Sequence, residues 1–156
     1  KSKQNWYYQK QGQLVKDAWI KDQGSWYFMD DKGVMFNQTW LYQGGSWYAF
    51  KSSGAMISAN WLYDNGSWYY LKDSGSMATG WLKDGGSWYY LNNSGSMATG
   101  WVKDSGSWYY LKDSGAMATG WVKDNGKWYY LASSGSMLRN TYTPDGYYVD
   151  GSGAWK

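Results

Sequence analysis

The chain repeats itself. Residues 81–100 read WLKDGGSWYYLNNSGSMATG, and residues 101–120 read WVKDSGSWYYLKDSGAMATG. A first Trp recurs at Trp19, Trp40, Trp61, Trp81, Trp101 and Trp121. A second recurs at Trp6, Trp26, Trp47, Trp68, Trp88, Trp108 and Trp128, and a Met at Met35, Met56, Met77, Met97, Met117 and Met137. The spacing is 20 or 21 residues throughout. A fixed period of that size marks a solenoid or array, in which each unit buries its apolar side only against its neighbours.

Each unit reads as a hairpin followed by a loop. In Trp61-Leu62-Tyr63-Asp64, Asn65-Gly66, Ser67-Trp68-Tyr69-Tyr70-Leu71, the Asn-Gly pair between aromatic strands is a strong hairpin signal, because a type I′ turn needs positive φ at both central residues. The equivalent pairs Gln23-Gly24, Gly44-Gly45, Gly85-Gly86, Ser105-Gly106 and Asn125-Gly126 all keep Gly second. A two-residue turn pairs Tyr63 with Trp68, Leu62 with Tyr69 and Trp61 with Tyr70. Alternation then puts Trp61, Trp68 and Tyr70 on one face and Leu62, Tyr69 and Leu71 on the other, the expected core face. No helical pattern is present. The expected fold is all-β: short hairpins joined by loops and stacked end to end, since a lone hairpin is marginal in water.

The ends diverge. The first unit lacks an opening Trp and has Leu14 where a Met is expected. The last, NTYTPDGYYVDGSGAW, has Tyr142 in the first-Trp position, Trp155 in the Met position, and the one proline, Pro144. The organisation expected is a single repeat module over 1–156, about seven units and a divergent cap at about 139–156. Because the chain starts inside a repeat, at KSKQNWYY, it reads as a piece of a longer protein.

Composition narrows the function. The chain has no Cys and no His, and its 12 acidic residues are all Asp. The usual general bases, metal ligands and activated nucleophiles are therefore scarce, and neither catalysis, a metal nor a cofactor is expected. Asp84, Asp104 and Asp124 fall beside turns and read as structural, bonding their own turn backbone. A net charge of +3 with interspersed signs lacks the basic stripe of a nucleic-acid protein. No apolar run is long enough to span a membrane.

What remains is 14 Trp and 17 Tyr in a polar, Gly-rich background. The rings are either core filler or a surface built to be seen by a ligand. Two Trp at fixed offsets in every unit favour the second reading. Trp is the best ring partner for a cation, and quaternary ammonium groups are the usual guests of aromatic cages. Carbohydrate, which also stacks on aromatic platforms, is the rival ligand.

The segments GWLKDGGSWYYLNNSGSMATG and GWVKDSGSWYYLKDSGAMATG closely resemble the choline-binding repeats of Gram-positive surface proteins and cell-wall hydrolases. The resemblance spans essentially the whole chain, best from Trp61 to Met137. It implies a left-handed β-solenoid of stacked hairpins, with choline held between successive hairpins by two Trp of one repeat and a Tyr of the next, a Met nearby. It also implies phosphocholine of (lipo)teichoic acid as the partner, and a secreted, wall-bound location. Carried over residue by residue, the sites are Trp40, Trp47 and Tyr70; Trp61, Trp68 and Tyr90; Trp81, Trp88 and Tyr110; Trp101, Trp108 and Tyr130; and Trp121, Trp128 and Tyr148. The second Tyr of each WYY is taken from the face argument, and the first stays open. Met77, Met97, Met117 and Met137 are candidate walls, with gap filling as the other reading.

Trp19 and Trp26 have Ala49 at the third position, so that site is expected to be weak or empty. Trp6, without an upstream Trp, is expected to form no full site with Phe28. Lys83, Lys103 and Lys123 read as a solvated rim that discourages edge pairing, with contact to an anionic polymer as the alternative. A glucan-binding repeat is the alternative function, and self-association through the exposed rings is a further one.

Overall fold

The computed structural model describes residues 4–156. Among them there is no helix, and every strand belongs to one of eight two-stranded antiparallel hairpins. The chain divides into two compact units, one ending at Ala78 and the other beginning at Thr79. The first holds the hairpins Gln9–Lys10 with Gln13–Leu14, Ala18–Asp22 with Ser25–Met29, Trp40–Gln43 with Ser46–Ala49, and Asn60–Asp64 with Ser67–Leu71. The second holds Gly80–Asp84 with Ser87–Leu91, Gly100–Asp104 with Ser107–Leu111, Gly120–Asp124 with Lys127–Leu131, and Thr141–Tyr142 with Tyr148–Val149.

The registers are those the sequence predicts. Trp61 faces Tyr70, Leu62 faces Tyr69 and Tyr63 faces Trp68, and the later hairpins repeat the pattern. Both turn residues have positive φ, as at Asn65 (50°) and Gly66 (86°), the type I′ geometry whose twist matches that of the flanking strands.

A second, tighter turn follows each hairpin from Ala18–Asp22 with Ser25–Met29 onward. The Lys72 amide donates to the Ser76 carbonyl and the Gly75 amide to the Lys72 carbonyl. The Met six residues after the strand-ending Leu then bridges back to that Leu, as in Leu71 with Met77 and Leu111 with Met117. Within each unit, that Met amide also reaches the preceding hairpin: Met77 donates to the Trp47 carbonyl at 2.8 Å, and Met137 to the Trp108 carbonyl at 2.8 Å.

The Met side chain fixes the next loop. A Cβ at Gly75 would overlap the sulfur of Met56, one at Gly115 that of Met97, and one at Gly135 that of Met117. Leu14 fills the Met place against Gly33. Glycine is required there twice over, for the close approach and for a φ near +90°.

The core is mostly aliphatic, with Phe28 and Phe50 buried in the first unit, and the strand-ending Leu lies on the face the alternation assigns to it. Leu71, Leu91, Leu111 and Leu131 are at most 1% exposed, each contributing about 1.5–3 kcal/mol by burial. Ala49, Ile57 and Leu71 form one cluster, with Trp40, Leu62 and Met77 packed on it. The fold is a solenoid-type stack of hairpins, with a Leu bridging back to the Met six residues on in four layers and Met29, Phe50 or Val149 in its place in others.

Candidate functional site

The second Trp of each repeat is not core. Trp26, Trp47, Trp88, Trp108 and Trp128 are 39–43% exposed, whereas the neighbouring Leu residues are sealed. That separation decides between filler and surface: the chain packs its layers with Leu and leaves an indole on the rim of every one.

The rings assemble between hairpins. Trp101 and Trp108 lie edge to face, centroids 6.5 Å apart at 86°. Tyr129 of the next hairpin closes on Trp101 at 5.0 Å. Together with Met137 and Ser152 these rings line an open cavity. Trp19, Trp26, Tyr48, Met56 and Ser74 line its counterpart in the first unit. The same Trp–Tyr contact across hairpins recurs between Trp40 and Tyr69 at 5.2 Å and between Trp81 and Tyr109 at 4.8 Å. At the last repeat Trp121, Trp128, Asp145, Tyr147 and Trp155 line the cavity, with Trp155 in the place Met holds elsewhere.

The ring that reaches the first Trp of the preceding hairpin is thus the first Tyr of WYY, and the second Tyr, expected in that place, contacts its own hairpin instead. Tyr70, Tyr90, Tyr110 and Tyr130 pack on the first Trp of their own hairpins, Trp61, Trp81, Trp101 and Trp121, at 5.0–5.2 Å. Tyr148 packs on Tyr142 at 5.1 Å, while Tyr147 reaches Trp121 at 5.9 Å. The reason is geometric. Cross-strand partners such as Trp101 and Tyr110 share a face of one hairpin. A stack brings the Trp face of one hairpin against the opposite face of the next, and that face carries the first Tyr. The same geometry holds at Trp19. Tyr48, not Ala49, is the third position for Trp19 and lies 4.9 Å from it, so a full ring set forms there.

Of the remaining expected residues, Trp61 and Trp68 belong to the Asn60–Asp64 hairpin and Tyr90 to the Gly80–Asp84 hairpin, where it packs on Trp81. Met137 lines the Trp101 cavity, and Met56 lines the Trp19 cavity. The amide of Met117 bonds the Trp88 carbonyl at 2.7 Å, in the repeat position of Met137. Met97 packs its sulfur against Gly115. Trp6 lines a pocket with Tyr8, Tyr27 and Met35, and Phe28 is not in it.

Lys21, Lys83, Lys103 and Lys123 place Nζ 5.8–5.9 Å from the ring centres of their cross-strand Trp26, Trp88, Trp108 and Trp128. In two hairpins a tyrosine replaces this cation, Tyr42 on Trp47 and Tyr63 on Trp68.

Sequence reasoning missed one group. In four repeats the Asp beside the hairpin turn bonds the preceding repeat. Its Oδ2 accepts the indole N–H of the preceding repeat: Trp40 to Asp64 and Trp81 to Asp104 at 3.1 Å, Trp101 to Asp124 at 3.0 Å, and Trp121 to Asp145 at 2.9 Å. The partner lies 23 or 24 residues away, beyond any local motif. The recurrence of Asp at one offset from the first Trp is the signal that pointed to it. The Thr143 hydroxyl (2.5 Å) and then the Trp121 indole hold the Asp145 carboxyl below its ordinary range. Bonds from Ser152 do the same for Asp150 in the final loop.

Comparison with known proteins agrees with this geometry. A family model described as a choline-binding repeat matches residues 63–99 and 98–142, and a model of a cell wall binding repeat matches 17–35 and 38–56. The crystal structure of choline binding protein F from Streptococcus pneumoniae, in the presence of a peptidoglycan analogue, is 43% identical with a TM-score of 0.85. The match covers 97% of this chain and 55% of that one. The choline-binding domain of CbpL from the same organism is 37% identical, with a TM-score of 0.79 and coverage of 96% and 82%. The modular autolysin LytC from S. pneumoniae is 31% identical, with a TM-score of 0.73 and coverage of 96% and 41%. The chain thus spans about half the length of choline binding protein F and less of LytC. No curated protein sequence matches it.

Proposed function

Because the chain belongs to the choline-binding repeat family, we propose that it is a non-catalytic attachment module that holds choline, as phosphocholine on teichoic acid, in the aromatic cages between successive repeats. The reading places it at a bacterial cell-wall surface, as one module of a larger secreted protein. The observation that carries it is the recurring cage itself: one half-exposed and one partly buried indole of one hairpin and a phenol of the next, open to solvent beside a sealed core.

A trimethylammonium group has a diffuse positive charge and an apolar surface, so it satisfies ring faces without needing hydrogen bonds. The cages supported are Trp19, Trp26, Tyr48; Trp40, Trp47, Tyr69; Trp81, Trp88, Tyr109; Trp101, Trp108, Tyr129; and Trp121, Trp128, Tyr147. Met56 and Met137, and Trp155 at the last, complete the walls they line. A single cation–π contact is worth about 0.5–2 kcal/mol, so each cage binds weakly alone. Repetition along a polymer that displays many cholines raises avidity by about a hundredfold or more.

The test is a tryptophan-fluorescence titration with choline, run in parallel with dextran. Saturable change with choline at millimolar levels, and none with dextran, is the expected result. A response to dextran alone assigns the chain to glucan binding, and silence to both removes the cage reading.

A further inference from the structure

Four cages share a feature that ring stacking does not require. A carboxylate from the following hairpin accepts the indole N–H of the first Trp, at 2.9–3.1 Å. We infer that Asp64, Asp104, Asp124 and Asp145 are specificity-determining residues of the cages, fixing the indole and selecting a cation over a neutral group of the same shape. The inference deepens the choline reading and rests on it.

A hydrogen bond to a carboxylate is roughly twice as strong as one between neutral groups, so it helps hold the indole in place. An indole that donates to an anion also carries more electron density on its faces, which strengthens attraction for a cation. The carboxylate adds a formal negative charge at the rim, and Asp145 lines its cavity directly. That charge has an opponent. Lys83, Lys103 and Lys123 hold their ammonium groups near the second Trp of the same cages, and each would repel a bound cation. A cage with a Lys and no carboxylate would present net positive charge to its ligand.

The chain contains its own control. Gln43 occupies the Asp position opposite the turn, pairing with Ser46 as Asp104 pairs with Ser107. This hairpin closes the Trp19 cage with Tyr48, so the group at the Asp place of that cage is a neutral amide, whereas Asp124 stands one hydrogen bond behind the Trp101 ring of its cage. The Trp19 cage has the rings without the charge, and Lys21 sits at its Trp26. It should be the least discriminating of the cages.

The experiment follows each cage separately by its indole N–H resonances in the full chain, titrated with choline and with 3,3-dimethylbutan-1-ol, its neutral isostere. Asp124→Asn keeps an oxygen acceptor for Trp101 and removes the charge. It should lower choline affinity at the Trp101–Trp108 cage by about three- to tenfold, the scale of one partly screened charge interaction. Isostere binding should be unchanged and the Trp101 indole signal retained. Gln43→Asp should raise choline affinity at the Trp19 cage by a similar factor. If Asp124→Asn binds choline as well as the wild type, or loses choline and isostere equally, the inference is overturned while the cage reading stands. If the wild type binds no choline, both fall together.

Discussion

At the scale of single residues, the adjacent tyrosines of WYY have different duties. Tyr109 closes on Trp81 of the preceding hairpin, and Tyr110 braces Trp101 of its own. Tyr109→Ala should therefore weaken choline binding at the Trp81–Trp88 cage by the loss of one ring, about 0.5–2 kcal/mol or roughly 2- to 30-fold, with Tyr109→Phe close to neutral. Site-resolved titration separates this from Tyr110→Ala, which should disturb the Trp101 cage instead. If Tyr110→Ala empties the Trp81 cage and Tyr109→Ala does not, the assignment is reversed. The loop glycines are equally specific. Gly115 has φ +88°, and a Cβ there would overlap the Met97 sulfur. Gly115→Ala should destabilise by about 1–3 kcal/mol from strain and overpacking together. Adding Met97→Ala should relieve the overlap but not the backbone strain, so urea unfolding of the double variant should not show simple additivity.

At the scale of the element, the hairpin was the most legible part of the sequence. The Asn-Gly and Ser-Gly pairs set the turn, the turn set the register, and alternation named the Leu that ends each second strand as core. These are local or period-two signals, and all were found in place. What could not be read was which face of one hairpin meets which face of the next. Alternation sorts Trp101 and Tyr110 to one side but says nothing about the neighbour 20 residues on, so it could not say which Tyr of WYY reaches the preceding Trp. The indole–Asp bond was hidden for the same reason. One residue of length also escaped notice. Repeats with five steps from Met to Trp, as from Met56 to Trp61, differ from those with four, as from Met77 to Trp81. The longer joins bend through a positive φ at a residue that is not glycine, Gln38 (48°) and Ala59 (51°), and the shorter ones through Gly80, Gly100 and Gly120 at 78–79°. Alanine has no side-chain group to compensate a left-handed backbone. Ala59→Gly should accordingly raise stability by about 0.5–1 kcal/mol, visible as a higher urea midpoint with unchanged slope. A lower midpoint would mean that chain entropy outweighs the strain.

At the scale of the whole molecule, stability and binding are coupled by construction. Each cage takes its indoles from one hairpin and its phenol from the next, so no hairpin owns a site. A ligand in the cage holds two layers together and has nothing equivalent to bind once they separate. Such a ligand stabilises the folded state by RT ln(1 + [L]/Kd), about 1.4 kcal/mol per site at ten times Kd. The second unit has three cages of this kind, on Trp81, Trp101 and Trp121. If they fill independently, the gain reaches about 4 kcal/mol, and one kcal/mol moves the melting point of a domain of 60–100 residues by about 4–8 °C. Saturating choline should therefore raise the melting temperature by at least about 10 °C. Tyr109→Ala should remove up to about a third of the gain in the second unit, because it weakens one cage of three. The increment should grow with choline concentration and be smaller for the neutral isostere, since the carboxylates favour a cation. A melting curve indifferent to choline, in a chain whose fluorescence still responds to it, would mean that the ligand sits on the rim of one hairpin and not between two.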